Sequence, residues 1–193
     1  MNKAREVFGA ELNHIMDSDV RDFVIDIMDT MAPDYFWTCP ASMSGKYHPG
    51  VSLGEGGLVR HTKLAVWWGV ELMQTESWMG DQRDTIIAAL LLHDLKKSGE
   101  PYKMRHHKCV HYHGVWLVDD ILKEKFSGDV QVPSIIWNIL EGIKYHMGKW
   151  SYPDWQDKSW YLNSISRMCR IIHLADYCAS RKADAKCKEL LVP

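Results

Sequence analysis

The 193-residue sequence lacks any hydrophobic run that could cross a bilayer, because none approaches the roughly 18 to 20 apolar residues that a membrane-spanning helix needs. It also lacks an excess of charge of one sign, since 23 basic residues are matched by 25 acidic ones. This balance excludes a basic coat for nucleic acid. Any preference for anions must therefore be local.

Cysteine is sparse. The five cysteines are odd in number and form no CxxC pair, and no charged-then-apolar leader precedes them. We therefore expect reduced thiols in a cytoplasmic protein. Alternating strand patterns, internal repeats and low-complexity segments are absent as well, which leaves a helical domain as the predicted class.

Apolar residues at helical spacing predict an all-α, single-domain bundle of about six to eight helices over residues 1–193. Two N-terminal helices lie within 1–31, broken near Asp17 and Ser18, and the core helices lie within 58–182. Among these, the first runs from Leu58 to about Met79. The second is capped by Asp81 and ends at the Leu-Leu-His-Asp of 91–94, before the breakers Gly99 and Pro101. A polar linker then reaches about Cys109, and the remaining helices are predicted at about 110–126, 131–147 and 159–182.

The segment 32–57 has a different character. Its three prolines and five glycines exclude a long regular element. At about 26 residues it exceeds the usual length of a passive connection. We therefore interpret it as a structured active-site loop.

Ten histidines remain to be explained. On four predicted helices, the stripe that should face the core carries an ionisable residue: His61, His93 with Asp94, His146, and Asp176. Any one of them alone is better explained as a satisfied core residue or an ordinary ion pair. Four on separate helices favour a metal site, because buried carboxylates need strong partners, and imidazole with carboxylate suits first-row divalent ions in a helical bundle.

These residues and their flanks resemble the HD superfamily of metal-dependent phosphohydrolases over roughly residues 39–181. Gly-Gly-Leu-Val-Arg-His-Thr at 56–62 is similar to the family's GGL-x-x-H-T/S element. Leu-Leu-His-Asp-Leu-Lys-Lys at 91–97 resembles L-L-H-D-x-x-K, and His-Leu-Ala-Asp at 173–176 resembles its distal element. Lys96 is a departure, because the family often has a small residue at that place.

Further elements resemble a phage and bacterial subgroup: His113-Gly114, His-Met-Gly-Lys-Trp at 146–150, Pro-Ala-Ser at 40–42 and Lys-Tyr-His at 46–48. The resemblance implies a binuclear site bridged by Asp94. His61, His93 and Asp176 would hold one ion, and His113 and His146 the other. Periodicity does not separate His113 from His111, and the glycine after His113 favours the former.

The implied cofactors are one or two divalent ions of manganese, iron, cobalt, nickel, zinc or magnesium. Asp94 is the predicted catalytic bridge, and Lys97 is assigned to stabilising charge in the transition state. The predicted substrate-binding residues are Ser42, Lys46, His48, Lys96 and Trp150. Five basic residues between 96 and 108 supply the local anion preference.

The predicted function is hydrolysis of a nucleotide or related small phosphate ester. A phosphodiesterase or 3′-5′ exonuclease acting on nucleic acid is the alternative within the same chemistry. A di-iron oxygenase and a non-catalytic, metal-stabilised binding protein are the other classes left open. No membrane partner is expected, and the oligomeric state stays open, a homo-oligomer included.

Overall fold

The computed structural model describes residues 2–42, 48, 50–75, 77–98, 112–151 and 165–181. Within these ranges the chain forms eight α-helices and no β-strand, which confirms the predicted all-α class. The helices are α1 (Lys3–Leu12), α2 (Ser18–Met31), α3 (Asp34–Thr38), α4 (Gly57–Met73), α5 (Gly80–Leu92), α6 (His113–Lys125), α7 (Ser134–Tyr145) and α8 (Arg167–Arg181). None of the described helices is long and apolar enough to span a membrane.

The two N-terminal helices separate where the sequence predicts a break. The Asp17 side chain accepts the backbone N–H groups of Asp19 and Val20 and so caps the start of α2. The carboxylate of Asp29 accepts the N–H of Ala4, which ties the start of α1 to the end of α2. Both helices contribute apolar side chains to the same core as the later helices.

Helix α5 lies at the centre of the fold. Every residue from Asp84 to Leu92 is buried, and α5 packs against α2, α4, α7 and α8. A helix that is apolar on nearly all faces is expected in such a place. Asp84 is the charged exception, and its two carboxylate oxygens accept the N–H groups of Met16 and Asp17. This contact fastens the N-terminal helices to the central helix.

Three predicted boundaries are wrong, and one of them is the start of the last helix, which begins at Arg167 with Ile165 and Ser166 outside it, rather than at 159. Helix α4 ends at Met73 rather than near Met79, and the Thr75 hydroxyl donates to the Leu72 carbonyl at 2.7 Å just beyond that end. Asp81 does not cap α5 but lies in its first turn, since the helix begins at Gly80. The cap contact comes instead from Gln82, whose side chain accepts the N–H of Met79 at 3.0 Å.

The predicted loop 32–57 contains α3 and a 3₁₀ turn, Gly50–Ser52. Three backbone hydrogen bonds fold its described ends together at the start of α4: Ala41 to Ser52, Gly56 to Thr38, and Leu58 to Cys39. Residues 43–47 and 49 of this loop lie outside the described residues. The same holds for residue 76, the linker over 99–109, positions 110–111 of the helix predicted after it, and positions 159–164 and 182 of the last predicted helix.

Candidate metal centre

His61 and Asp176 meet because α4 and α8 pack against each other. His61 lies on the buried face of α4, with its side chain closed to solvent. Its Nε2 atom is 3.0 Å from the Oδ1 atom of Asp176 and 3.4 Å from the Oδ2 atom of Asp94. One imidazole nitrogen therefore faces two carboxylates that come from different parts of the chain.

His93 and Asp94 follow directly on the last residue of α5. The His93 Nδ1–H donates to the carbonyl of Leu90 at 2.6 Å, because a carbonyl can only accept. That bond leaves Nε2 pointing inward, 3.4 Å from Asp94 Oδ2 and 3.6 Å from Asp176 Oδ1. As predicted from the breakers after Lys97, the His-Asp pair lies at a helix end, where both side chains can reach one centre.

His113 and His146 lie on the other side of Asp94. His113 is the first residue of α6, and its Nε2 atom is 2.9 Å from Asp94 Oδ1. His146 follows α7, and its Nδ1–H donates to the carbonyl of Ile143 at 2.7 Å. The His146 Nε2 atom then lies 3.0 Å from His113 Nε2 and 3.7 Å from Asp94 Oδ1. In this second group, two histidines from separate parts of the chain therefore face the same oxygen of Asp94.

The donor atoms fit divalent metal ions. Two groups have ligand atoms close enough to hold an ion, His61–His93–Asp94 and Asp94–His113–His146, and Asp94 belongs to both. Among the described residues, the buried His93 Nε2 has no hydrogen-bond partner, although it faces two carboxylates. In the neutral ring this nitrogen carries a lone pair directed at two anions, an arrangement that a cation between them stabilises. Imidazole nitrogen with carboxylate oxygen is a donor set that first-row divalent ions accept.

Several residues of the centre have shifted pKa values, because they are buried and lie close to other charged groups. Burial opposes the charged form of His93, but Asp94 and Asp176 outweigh it and raise the pKa of His93 to about 9. Burial, together with His113 and His93, lowers the pKa of His146 to about 3. Against their burial, the pKa values of Asp94 and Asp176 lie well below the usual range because Lys97 and the histidines favour the carboxylates. Both aspartates are thus ionised at neutral pH.

The two lysines after the His-Asp pair have different surroundings. The Lys97 ammonium donates to Asp94 Oδ2 at 2.5 Å and is nearly closed to solvent. The Lys96 ammonium, predicted to bind substrate, forms an ion pair of 2.7 Å with Asp120 on α6. Lys97 therefore lies inside the metal centre, while Lys96 connects the His-Asp segment to the helix that begins with His113.

The other predicted substrate residues are Ser42, Lys46, His48 and Trp150. Ser42 is half-buried and is the last described residue before position 43. Lys46 lies outside the described residues, as does His111. The His48 ring packs edge to face against His61, with centroids 4.9 Å apart. Burial, Lys97 and His61 lower the pKa of His48 to about 3. Trp150 is 39% exposed after α7, and the Lys149 ammonium lies 4.6 Å from its ring centroid.

Sequence reasoning missed several residues that support the centre. His173, three residues before Asp176, donates through Nδ1–H to the carbonyl of His146 at 2.7 Å. Its ring lies against Gly148, whose φ of +62° favours glycine and whose missing side chain leaves room for that ring. Gly114 leaves similar room, because a Cβ there would lie 2.5 Å from the Ile143 carbonyl oxygen. The glycines in H-G and H-M-G are the sequence signal for these contacts.

The family model described as HD domain matches residues 58–181, about two thirds of the chain, and the chain belongs to that family. HD domains are in general metal-dependent phosphohydrolases, and the His and Asp groups described above agree with the divalent metals that such domains bind. No curated protein and no solved structure matches the chain.

Proposed function

We propose that this protein is a metal-dependent phosphohydrolase that uses water to cleave a nucleotide or a related small phosphate ester. The observation that supports it best is the position of Asp94. One of its oxygens faces His61 and His93, and the other faces His113. A carboxylate shared in this way can hold two ions side by side, the arrangement that serves displacement at phosphorus.

The ligands in this proposal are His61, His93, Asp94 and Asp176 on one side, and Asp94, His113 and His146 on the other. Divalent ions held there would lower the pKa of water toward neutrality and polarise a phosphoryl oxygen. The chain itself fixes the direction of its ligands. His93 and His146 are each oriented by a backbone carbonyl, which leaves the opposite ring nitrogen as the ligand atom.

Lys97 is proposed to stabilise the negative charge that builds up on the phosphoryl group. Its ammonium already lies at the centre, on the same Asp94 oxygen that faces His61 and His93. We expect Lys97→Ala to lower kcat by about 10²- to 10³-fold, the usual effect of removing a group that stabilises transition-state charge. Metal content, measured by elemental analysis, should stay at the wild-type level. Lys123→Ala, which changes an exposed lysine of α6, is the matched control and should leave kcat unchanged.

Substrate recognition is proposed to involve the residues around this centre. Trp150 is 39% exposed, and its indole ring would stack on a base. Ser42, in the active-site loop, would hydrogen-bond the phosphate or the sugar. Lys46 belongs to the same loop, outside the described residues, and is proposed to do the same. Lys96 would contribute its charge from the ion pair with Asp120.

The test is a substrate screen of the protein loaded in turn with each divalent ion named above. The panel holds mononucleotides, p-nitrophenyl phosphate and a labelled oligonucleotide, and Asp94→Asn is assayed beside wild type. We expect hydrolysis of at least one small ester and its loss in Asp94→Asn. Release from the oligonucleotide alone would establish the exonuclease alternative instead. Two irons per chain with oxygen-dependent turnover would indicate an oxygenase, and wild-type rates in Asp94→Asn would contradict the proposal.

A further inference from the structure

His48 belongs to the active-site loop and lies against the metal centre. Its ring contacts the His61 ring at a centroid distance of 4.9 Å and an angle of 71°. Within the described part of the chain, neither ring nitrogen of His48 has a hydrogen-bond partner, although both are closed to solvent. A buried polar group without a partner costs free energy, so such a group beside a reactive centre is a candidate for pairing with a bound ligand.

The loop that carries His48 is fastened on both sides. The Arg60 guanidinium, next in sequence to His61, donates to the carbonyls of Val51 and Leu53 at 2.6 and 2.9 Å. On the other side, the N–H of Ala41 donates to the Ser52 carbonyl at 3.0 Å. Described residues on both sides of His48 in the sequence are therefore held near the start of α4 by contacts that do not involve His48 itself.

The donors and acceptors of His48 indicate what kind of group it would pair with. Both of its ring nitrogens are buried without a partner, and the ring lies beside His61. A neutral imidazole carries one N–H donor and one acceptor lone pair. The oxygens of an ionised phosphate only accept hydrogen bonds, and the Lys97 ammonium already lies at the centre to meet them. A hydroxyl both donates and accepts, so it can pair with the donor and the acceptor of such a ring.

We propose that His48 is a specificity-determining residue that hydrogen-bonds a sugar hydroxyl beside the scissile phosphate. This assignment rests on the proposed phosphohydrolase function and narrows its substrates to phosphate esters of a sugar. His48 contributes nothing to the chemistry at phosphorus, so an ester without the hydroxyl is hydrolysed without its help.

The experiment compares three probes on the metal-loaded protein: adenosine 5′-monophosphate, its 2′,3′-dideoxy analogue and p-nitrophenyl phosphate. The variants are His48→Ala and His48→Phe, the second of which keeps a ring against His61. His14→Ala, at an exposed histidine between α1 and α2, is the matched control. Hydrolysis is measured as kcat and KM, nucleotide binding by calorimetry, and metal content by elemental analysis.

We expect wild type and His14→Ala to favour the ribonucleotide over the dideoxy analogue by roughly three- to tenfold, the effect of one net hydrogen bond. Both His48 variants should lose this preference through a higher KM for the ribonucleotide. Their kcat/KM for the other two probes should stay within about twofold of wild type, with unchanged metal content.

Three results would overturn the assignment: equal use of the two nucleotides by wild type, an equal loss on all three probes in the variants, or a lower metal content in the variants. If neither these probes nor any ester of the substrate screen is hydrolysed, the proposed function fails, and calorimetry still decides about His48. Tighter binding of the ribonucleotide that both variants abolish would support the assignment, and equal binding of the two nucleotides would overturn it.

Discussion

His93 and His146 occupy the same position relative to their helices, one residue beyond the last residue of α5 and α7. Each donates its Nδ1–H to the carbonyl three residues earlier. The last carbonyls of a helix have no partner within the helix, so a histidine placed there can satisfy one of them. The local backbone thereby sets the ring orientation and the tautomer of two proposed ligands before any tertiary contact is made.

The protonation of His93 predicts a pH dependence of metal affinity. The pKa of His93 is raised to about 9 in the metal-free protein, so at neutral pH a bound ion must displace its proton. Affinity should therefore rise by about tenfold per pH unit up to about pH 9 and level off above it. Asp94 and Asp176, with lowered pKa values, and His146, at about 3, are already deprotonated in that range.

Calorimetric titration of the metal-free protein with Mn²⁺ in buffers of different ionisation enthalpy measures the protons released. We expect wild type to release about one proton more per protein molecule than the matched variant His93→Gln at pH 7, and the same number at pH 10. His93→Gln cannot carry that proton and should bind the ion more weakly. Release at pH 7 that is the same in wild type and His93→Gln would show that the proton comes from another group.

Helix packing brings the two halves of the centre together. The sequence predicts where many of these helices begin and end. Apolar spacing places the ends of α6 and α7 within three residues of those observed. Apolar spacing does not predict the end of α4, where the Thr75 hydroxyl donates a hydrogen bond to the Leu72 carbonyl. The ion pairs of Lys97 with Asp94 and of Lys96 with Asp120 depend on side-chain geometry and on a contact between separate elements. Periodicity carries no information about such pairs.

Gly114 provides a test of the contact between α6 and α7. A Cβ at this position would lie 2.5 Å from the Ile143 carbonyl oxygen and 3.2 Å from the His146 ring. Both helices would have to move apart, so Gly114→Ala should destabilise the protein by about 1–3 kcal/mol, as overpacking usually does. The displaced His146 should also weaken the metal group to which it belongs. Thermal unfolding and elemental analysis measure the two effects.

The matched control for Gly114→Ala is Gly9→Ala in α1, where a Cβ would meet nothing within 4 Å. Alanine is the better helix former, so this change should leave the protein as stable or raise its stability by up to about 1 kcal/mol. Metal content should not change. Equal unfolding temperatures for Gly114→Ala and wild type would show that α6 and α7 tolerate the larger separation.

Over the whole molecule, the proposed ligands come from four helices or their ends and from the His-Asp segment after α5. The N-terminal helices contribute no ligand among the described residues, but they hold α5 through the contacts of Asp84 with Met16 and Asp17. The near balance of total charge conceals this organisation. Asp94 and Asp176 are committed to the interior of the centre, where their charges face histidines rather than solvent.

Because five separate parts of the chain meet at Asp94, metal should stabilise the entire fold. An ion that binds the folded but not the unfolded chain stabilises it by about 2.7 kcal/mol when its concentration is 100 times the dissociation constant. We expect two ions per chain in wild type, one in His146→Ala, and weak or no binding in Asp94→Ala, whose carboxylate both groups share. The melting temperature should fall in the same order, and a chelator should bring wild type close to its metal-free value. If Asp94→Ala kept one tightly bound ion, the two groups would be independent sites rather than a single bridged centre.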